Sequence, residues 1–158
     1  LGVLLECPML DDRNDTVSSR QLYEGIGGSW CGASNEVGWA ALLGDARGTD
    51  AVSPYDAPAR ATWLGGLPPV HLSVGSTDAF RDEDVAFASA LWRDGGDCEL
   101  HVVPGGPHGH EWLAPHTAIA RSTVHARSAW VDRLLCPDDP AEALAARDRI
   151  LAFFQELS

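Results

Sequence analysis

Three short, mostly apolar runs constrain the fold of this chain more than any other feature of its sequence. They extend from Gly2 to Cys7, from Pro69 to Val74 and from Cys98 to Val103, and each is followed by proline or turn-forming residues. Such runs are typical of strands buried on both faces of a sheet. Because longer stretches of helical character separate them, we predict an α/β fold, a parallel sheet with crossover helices.

The segment between the second and third runs has the clearest helical pattern. Acidic residues 82–84 come first, where the helix dipole favours negative charge. An apolar stripe at helical spacing then runs from Val85 to Trp92, and Gly95 and Gly96 end the pattern. Strand, helix and strand together predict a βαβ unit.

Further helices are expected on either side of this unit. The patterns predict one near Glu36 to Leu43, one from roughly Pro115 to Leu135 and one from Pro140 to Leu157. A segment rich in proline and aspartate separates the last two. We therefore expect one domain over residues 1–135 and a C-terminal helical extension over residues 136–158.

The charge balance excludes two classes of partner. The formal net charge is −12, and all 11 basic residues are arginine. A surface this acidic repels nucleic acid phosphates and anionic lipids, so we expect neither nucleic acid nor membrane as a partner. No apolar run approaches the ~20 residues that a membrane-spanning helix needs.

The cysteines do not form a recognisable metal-binding or redox motif. They stand at positions 7, 31, 98 and 136, without a Cys-x-x-Cys pair or a nearby histidine at zinc-finger spacing. We expect free thiols in a reducing cytoplasm, although spacing alone leaves disulfides open.

Two loops that follow predicted strands carry groups suited to acid–base chemistry. Asp78 follows the second strand and His108 follows the third. Adjacent parallel strands bring their C-terminal loops side by side, so the two side chains are expected to meet within about 2.6 to 3.2 Å. A carboxylate in this position fixes the imidazole tautomer and stabilises the imidazolium formed when the ring takes a proton.

Five stretches carry a family resemblance. They are Cys7 to Arg13, Ser53 to Ala61, Leu64 to Pro69, Phe80 to Glu83 and Pro104 to Gly109. In this order and spacing, the chain from Leu4 to about Ala129 resembles the hormone-sensitive-lipase-like family of alpha/beta-hydrolase esterases and lipases. The resemblance implies the last three strands of that fold, with Asp78 as catalytic acid and His108 as catalytic histidine. It implies no metal and no organic cofactor, and it assigns no substrate-binding residue.

The nucleophile of that family is missing from the sequence. No Gly-x-Ser-x-Gly motif occurs, and residues 27–30, Gly-Gly-Ser-Trp, follow the first strand, where the family has neither nucleophile nor oxyanion hole. The chain also opens directly in a strand-like run from Leu1 to Leu5. We therefore expect the C-terminal half of the fold, with Leu4 and Leu5 exposed at a cut edge. Such a chain is expected to pair with its missing half or to self-associate.

Three functional hypotheses remain open at this point. The first is a carboxylic ester hydrolase of the serine type, acting on short-acyl esters, of which this chain holds the acid and the base. The second is a catalytically inactive remnant that serves only as a folded association module. The third is another alpha/beta-hydrolase reaction, such as lactone or epoxide opening.

Other polar and aromatic residues have simpler interpretations. His110 stands where the family usually has an aromatic residue, and we expect it at the edge of the pocket without a catalytic role. His71 and His101 are interpreted as packed or edge residues of strands. Four charged residues are interpreted as an ion-pair network at the ends of adjacent strands: Asp11, Asp12, Arg13 and Arg81. Trp30 and Trp39 belong to the long segment that, in the family, passes near the acyl pocket.

Overall fold

The computed structural model describes residues 1–24 and 29–135, together with positions 141, 144, 145 and 148. Its sheet has three parallel strands in the order β1 (Val3–Glu6), β2 (Val70–Gly75) and β3 (Cys98–Val103). The register places Val3 beside Val70 and Val70 beside Cys98. The predicted parallel α/β fold is confirmed.

Helices connect and cover these strands. They are α1 (Val17–Gln21), α2 (Gly32–Leu43), α3 (Arg81–Arg93), α4 (His110–Leu113) and α5 (Ala118–Leu135), with short 3-10 helices at Gly44–Ala46 and Pro58–Arg60. Helix α5 begins three residues later than the sequence predicts, and the hydroxyl of Thr117 accepts a hydrogen bond from the Ala120 amide at its start. The predicted helix over 140–157 and the extension over 136–158 lie almost entirely outside the described residues.

The two faces of the sheet bury different side chains. Val70, Leu72 and Val74 are almost fully buried and pack with Phe87 and Leu91 of α3. Alternate residues of a strand point to opposite faces, so the side chain of His71 lies on the other face, where it contacts the ring of Trp130 in α5. Burial of apolar surface on the α3 face stabilises the sheet, and α5 covers the other face with a more polar contact.

Strand β1 lies at an open edge of the described sheet. Among the described residues it pairs only with β2, and its Leu4 side chain is 39% exposed. A largely apolar cavity of about 540 Å³ lies beside it, bordered by Val3, Leu5, Trp63 and Phe87. Leu4 is therefore exposed as predicted, whereas Leu5 is half-buried.

Within the described part of the chain, no helix is long and apolar enough to cross a membrane.

Candidate active site

Asp78 lies in the loop that joins β2 to α3, and its side chain is completely buried. One carboxylate oxygen, Oδ1, accepts a hydrogen bond from the backbone N–H of Phe80 at 3.0 Å. The other, Oδ2, lies 3.1 Å from Nδ1 of His108. The carboxylate is thus held by a backbone donor on one side and directed at the imidazole on the other.

His108 lies in the loop after β3 and is 24% exposed. Its backbone carbonyl accepts a hydrogen bond from the Ser29 hydroxyl at 3.1 Å, which ties this loop to the segment before α2. The Phe80 ring meets the imidazole edge-on with centroids 5.3 Å apart, and the Trp30 ring lies 6.1 Å away. Because Nδ1 faces Asp78, Nε2 is the ring nitrogen of His108 that does not face the carboxylate.

Backbone contacts between the loop of Asp78 and the loop of His108 fix the distance between these two side chains. The Thr77 amide donates to the Gly106 carbonyl at 3.1 Å, and the Gly105 amide donates to the Ser76 hydroxyl at 2.8 Å. The loops come so close at Gly75 that any side chain there would collide with Gly106. Glycine at position 75 is therefore required by close approach of two backbones.

Cys7 is a neighbour of this pair that the sequence did not indicate. It follows β1, has a φ of 38°, and its sulfur lies within 4.8 Å of ligand atoms of Asp78 and His108. A positive φ is uncommon for a residue with a side chain. Burial raises the pKa of the Cys7 thiol to about 12, against a smaller lowering by a hydrogen bond from the backbone of Gly109. The thiol therefore stays protonated at neutral pH.

Two buried acids of α3 lie beneath the loops. Glu83 accepts hydrogen bonds from the amides of Leu10 and Asp11, at 2.7 and 3.2 Å, and so joins α3 to the segment after β1. Burial raises the pKa of Glu83 to about 8, although the two amides lower it. Burial also raises the pKa of Asp84 well above its ordinary value, with Glu83 as a further cause. With a pKa of about 8, the Glu83 carboxyl group is held largely in the protonated form near neutral pH.

The sequence profile of the alpha/beta hydrolase fold family matches residues 1–111, which is most of this chain. The chain belongs to the alpha/beta hydrolase fold family. The family resemblance and the fold predicted from the sequence are thereby confirmed. In this fold the functional loops follow the carboxyl ends of the strands, which is where Asp78 and His108 lie.

Solved structures of alpha/beta-hydrolase esterases resemble the chain closely. The esterase LipW from Mycobacterium marinum is 28% identical, with a TM-score of 0.79 over 87% of this chain and 41% of its own length. A bacterial heroin esterase is 36% identical, with a TM-score of 0.70 over 81% of this chain and 41% of its own. An esterase of the bacterial hormone-sensitive lipase family, 20% identical, shares the fold with a TM-score of 0.71 over 84% of this chain and 43% of its own.

The chain thus spans about 41% of the length of the first two of these structures. No protein among those with curated functions matches it significantly in sequence.

The ion pairs of this alpha/beta-hydrolase chain differ from those expected. Asp11 does pair with Arg13, at 2.6 Å. The buried Asp12, however, pairs with Arg60 at 2.7 Å, a partner that the sequence did not indicate. Arg81 is not part of this network, because its guanidinium pairs with the adjacent Asp82 at 2.8 Å. These side chains thus form three separate ion pairs instead of one network.

His110 does not lie at the edge of the pocket. Its side chain is buried, and its Nε2 lies 2.8 Å from the hydroxyl of Thr123 in α5, while Nδ1 lies 3.2 Å from the Pro107 carbonyl. The left-handed backbone of Gly109, with a φ of 65°, turns the chain so that His110 starts α4 and faces inward. Through these two contacts, His110 links the loop of His108 to α5.

The two tryptophans, Trp30 and Trp39, lie in different parts of the structure. Trp30 lies beside His108, as described above. Trp39 of α2 is 1% exposed and packs with Val52 and Ala57 in a second apolar cluster. Trp39 is therefore a core residue of this cluster, whereas Trp30 is the tryptophan whose ring lies near His108.

Cys7, Cys31 and Cys98 are free thiols, while Cys136 lies outside the described residues.

Proposed function

We propose that this chain supplies the catalytic acid and the general base of a serine carboxylesterase that acts on short-acyl esters. The observation that carries the proposal is the 3.1 Å contact between the buried Asp78 carboxylate and Nδ1 of His108 at the carboxyl ends of parallel strands. Esterases among the similar structures support the reaction class. The free thiols agree with a cytoplasmic location.

In the proposed mechanism each group has its own step. The serine of the complete enzyme attacks the ester carbonyl carbon while Nε2 of His108 takes its proton. The imidazolium is stabilised by Asp78, which holds Nδ1–H throughout. His108 then protonates the leaving alcohol, and water attacks the acyl-serine with the same histidine as base. The aromatic rings of Trp30 and Phe80 border the imidazole and favour apolar, neutral esters.

The test uses a longer protein that contains the residues preceding Leu1, assayed on p-nitrophenyl acetate and butyrate. His108→Gln and Asp78→Asn are each expected to lower kcat by at least about a hundredfold, because general base catalysis contributes ~10²- to 10⁴-fold. His125→Gln, an exposed histidine of α5, is the matched control and retains full activity.

Two outcomes would contradict the proposal. Turnover that survives His108→Gln removes the histidine from the mechanism. A longer protein that folds but neither hydrolyses esters nor reacts with a fluorophosphonate supports the inactive remnant instead.

A further inference from the structure

Three side chains with metal-ligating atoms converge on the sheet face that α5 covers. His71 lies on β2 directly beside Glu99 of β3, and His101 lies two residues further along β3, so all three point to the same side. Nδ1 of His71 is 3.8 Å from Oε1 of Glu99, and Nε2 of His101 is 2.8 Å from that oxygen. One ligand atom from each residue lies within 4.8 Å of the other two.

His71 is the unusual member of this cluster. Its side chain is completely buried, and neither ring nitrogen has a hydrogen-bond partner among the described residues. An unpartnered buried polar group destabilises the folded chain. Its Nδ1 faces Glu99 at a distance too long for a hydrogen bond. Two atoms with lone pairs at this separation can be joined by a cation that both of them ligate.

We propose that His71, Glu99 and His101 bind a divalent transition-metal ion of the zinc class. Bonds of ~2.0 to 2.2 Å in a tetrahedral arrangement place ligand atoms ~3.4 Å apart. The observed separations of 3.8 and 2.8 Å lie on either side of that value. Shifts of roughly half an ångström bring both to it.

The surroundings leave room for a fourth ligand. The side chains of His101 and Glu99 are 36% and 33% exposed, so an ion enters from solvent on their side. Solvent on this exposed side supplies a water molecule as the fourth ligand, and a cavity of about 220 Å³ adjoins Glu99, Trp130 and Arg133. The Trp130 ring, 5.6 Å from that of His71, closes the inner side. Two imidazoles and one carboxylate suit zinc, cobalt or nickel better than magnesium or calcium.

Positive charge on α5 opposes the ion. Arg133 pairs with Glu99, and Arg127 pairs with Glu6 on β1. Arg133 is 59% exposed and binds Oε2 of Glu99, next to the Oε1 that faces both histidines. Its positive charge repels an incoming cation and so weakens binding. Removal of the arginine is therefore expected to strengthen it.

The test titrates the untagged chain with Co²⁺ and with Zn²⁺. We expect one Co²⁺ per chain with the intense visible absorption of a tetrahedral site, and its displacement by Zn²⁺. His101→Gln and Glu99→Gln are each expected to weaken binding at least about tenfold. Arg133→Gln is expected to tighten it several-fold, and Zn²⁺ should raise Tm in proportion to affinity. Two exposed histidines outside the cluster serve as controls, and His116→Gln and His125→Gln leave binding unchanged.

Three results would overturn the proposal. One is the absence of stoichiometric binding at millimolar metal. Another is binding that ignores both His101→Gln and Glu99→Gln. The third is loss of binding in His108→Gln alone, which would locate the ion at Cys7, Asp78 and His108, the other group with ligand atoms within 4.8 Å. If a ligand variant fails to fold, the gain in affinity expected for Arg133→Gln still decides the matter.

Discussion

A Cβ atom placed on Gly75 would lie 1.9 Å from the carbonyl oxygen of Gly106. The loops after β2 and β3 therefore touch backbone to backbone, and the amide of Thr77 bonds to that same carbonyl at 3.1 Å. Since Asp78 and His108 stand on these two loops, their separation depends on a contact that excludes every side chain at position 75.

Gly75→Ala is expected to force the loops apart. Overpacking at a site without free volume costs about 1 to 3 kcal/mol, and here backbone rather than a flexible side chain must move. We expect the free energy of unfolding in urea to fall by that amount, and the His108 ring resonances in NMR spectra to shift. Gly38→Ala is the matched control, because a Cβ atom there would meet the Trp30 side chain at 3.2 Å instead of backbone, and alanine favours the α2 helix. Equal stability of the two variants would contradict the close-contact argument.

The isolated chain is expected to lack serine-esterase turnover. His108 and Asp78 activate a hydroxyl only if one is positioned beside Nε2, and the sequence contains no Gly-x-Ser-x-Gly motif. Hydrolysis of p-nitrophenyl acetate should match that of free imidazole at equal concentration and should not saturate. A fluorophosphonate probe followed by mass spectrometry should leave the chain unlabelled. Stoichiometric modification of any serine would show that this chain holds its own nucleophile.

The open edge of β1 is expected to drive association. An unpaired strand edge is a template for pairing with another chain. The Leu4 side chain of this strand is 39% exposed, and Val3 and Leu5, which point to the other face, border an apolar cavity. We propose that the chain pairs with the missing half of its fold, or self-associates when that half is absent. Light scattering should detect dimers or larger species, and Leu4→Lys should shift them towards monomer. Leu42→Lys, at an exposed leucine of α2, is the control and should change nothing. A monomer at every concentration, indifferent to Leu4→Lys, would refute the edge argument.

Glu83 is expected to make stability fall as pH rises. Burial raises its pKa to about 8 in the folded chain, from an ordinary value of 4.5. The folded state therefore holds a proton that the unfolded state releases, so this contribution is complete below pH 4.5 and is lost as pH rises towards 8. Glu83→Gln keeps the oxygen that accepts from Leu10 and Asp11 and does not titrate.

Urea denaturation between pH 4.5 and pH 8 measures the difference in stability between Glu83→Gln and the unmodified chain. The stability of Glu83→Gln relative to the unmodified chain should rise with pH, by up to a few kcal/mol. The exposed Asp45→Asn variant should give a curve parallel to that of the unmodified chain. A constant difference between Glu83→Gln and the unmodified chain would show that Glu83 is ionised throughout.

Local patterns were sufficient to predict the three strands and α3. Each strand is a short apolar run that ends at turn residues, and α3 combines acids in its first turn with an apolar stripe and terminal glycines. The pairing of Asp78 with His108 could be predicted too, because parallel neighbours bring their C-terminal loops together irrespective of side-chain detail. These features depend on chain-local periodicity and on topology.

Partner choice among buried polar groups could not be predicted in the same way. Asp12 and Arg60 are 48 residues apart and meet only because the segment between them folds back past the end of β1. His110 lies two residues after His108, yet the turn at Gly109 sends it inward to Thr123. Sequence spacing alone carries no information about such long-range contacts.

The sequence by itself therefore determined the α/β architecture, the family and the two residues of the proposed catalytic pair. Only the tertiary structure decided that Cys7 lies beside that pair, that Leu5 is half-buried, and that His71 meets Glu99 and His101 across two strands. The physical reason is how far apart along the chain the interacting residues are. Secondary structure follows from the spacing of apolar residues within one segment, whereas these contacts depend on strand register and on the packing of α3 and α5 against opposite faces of one sheet.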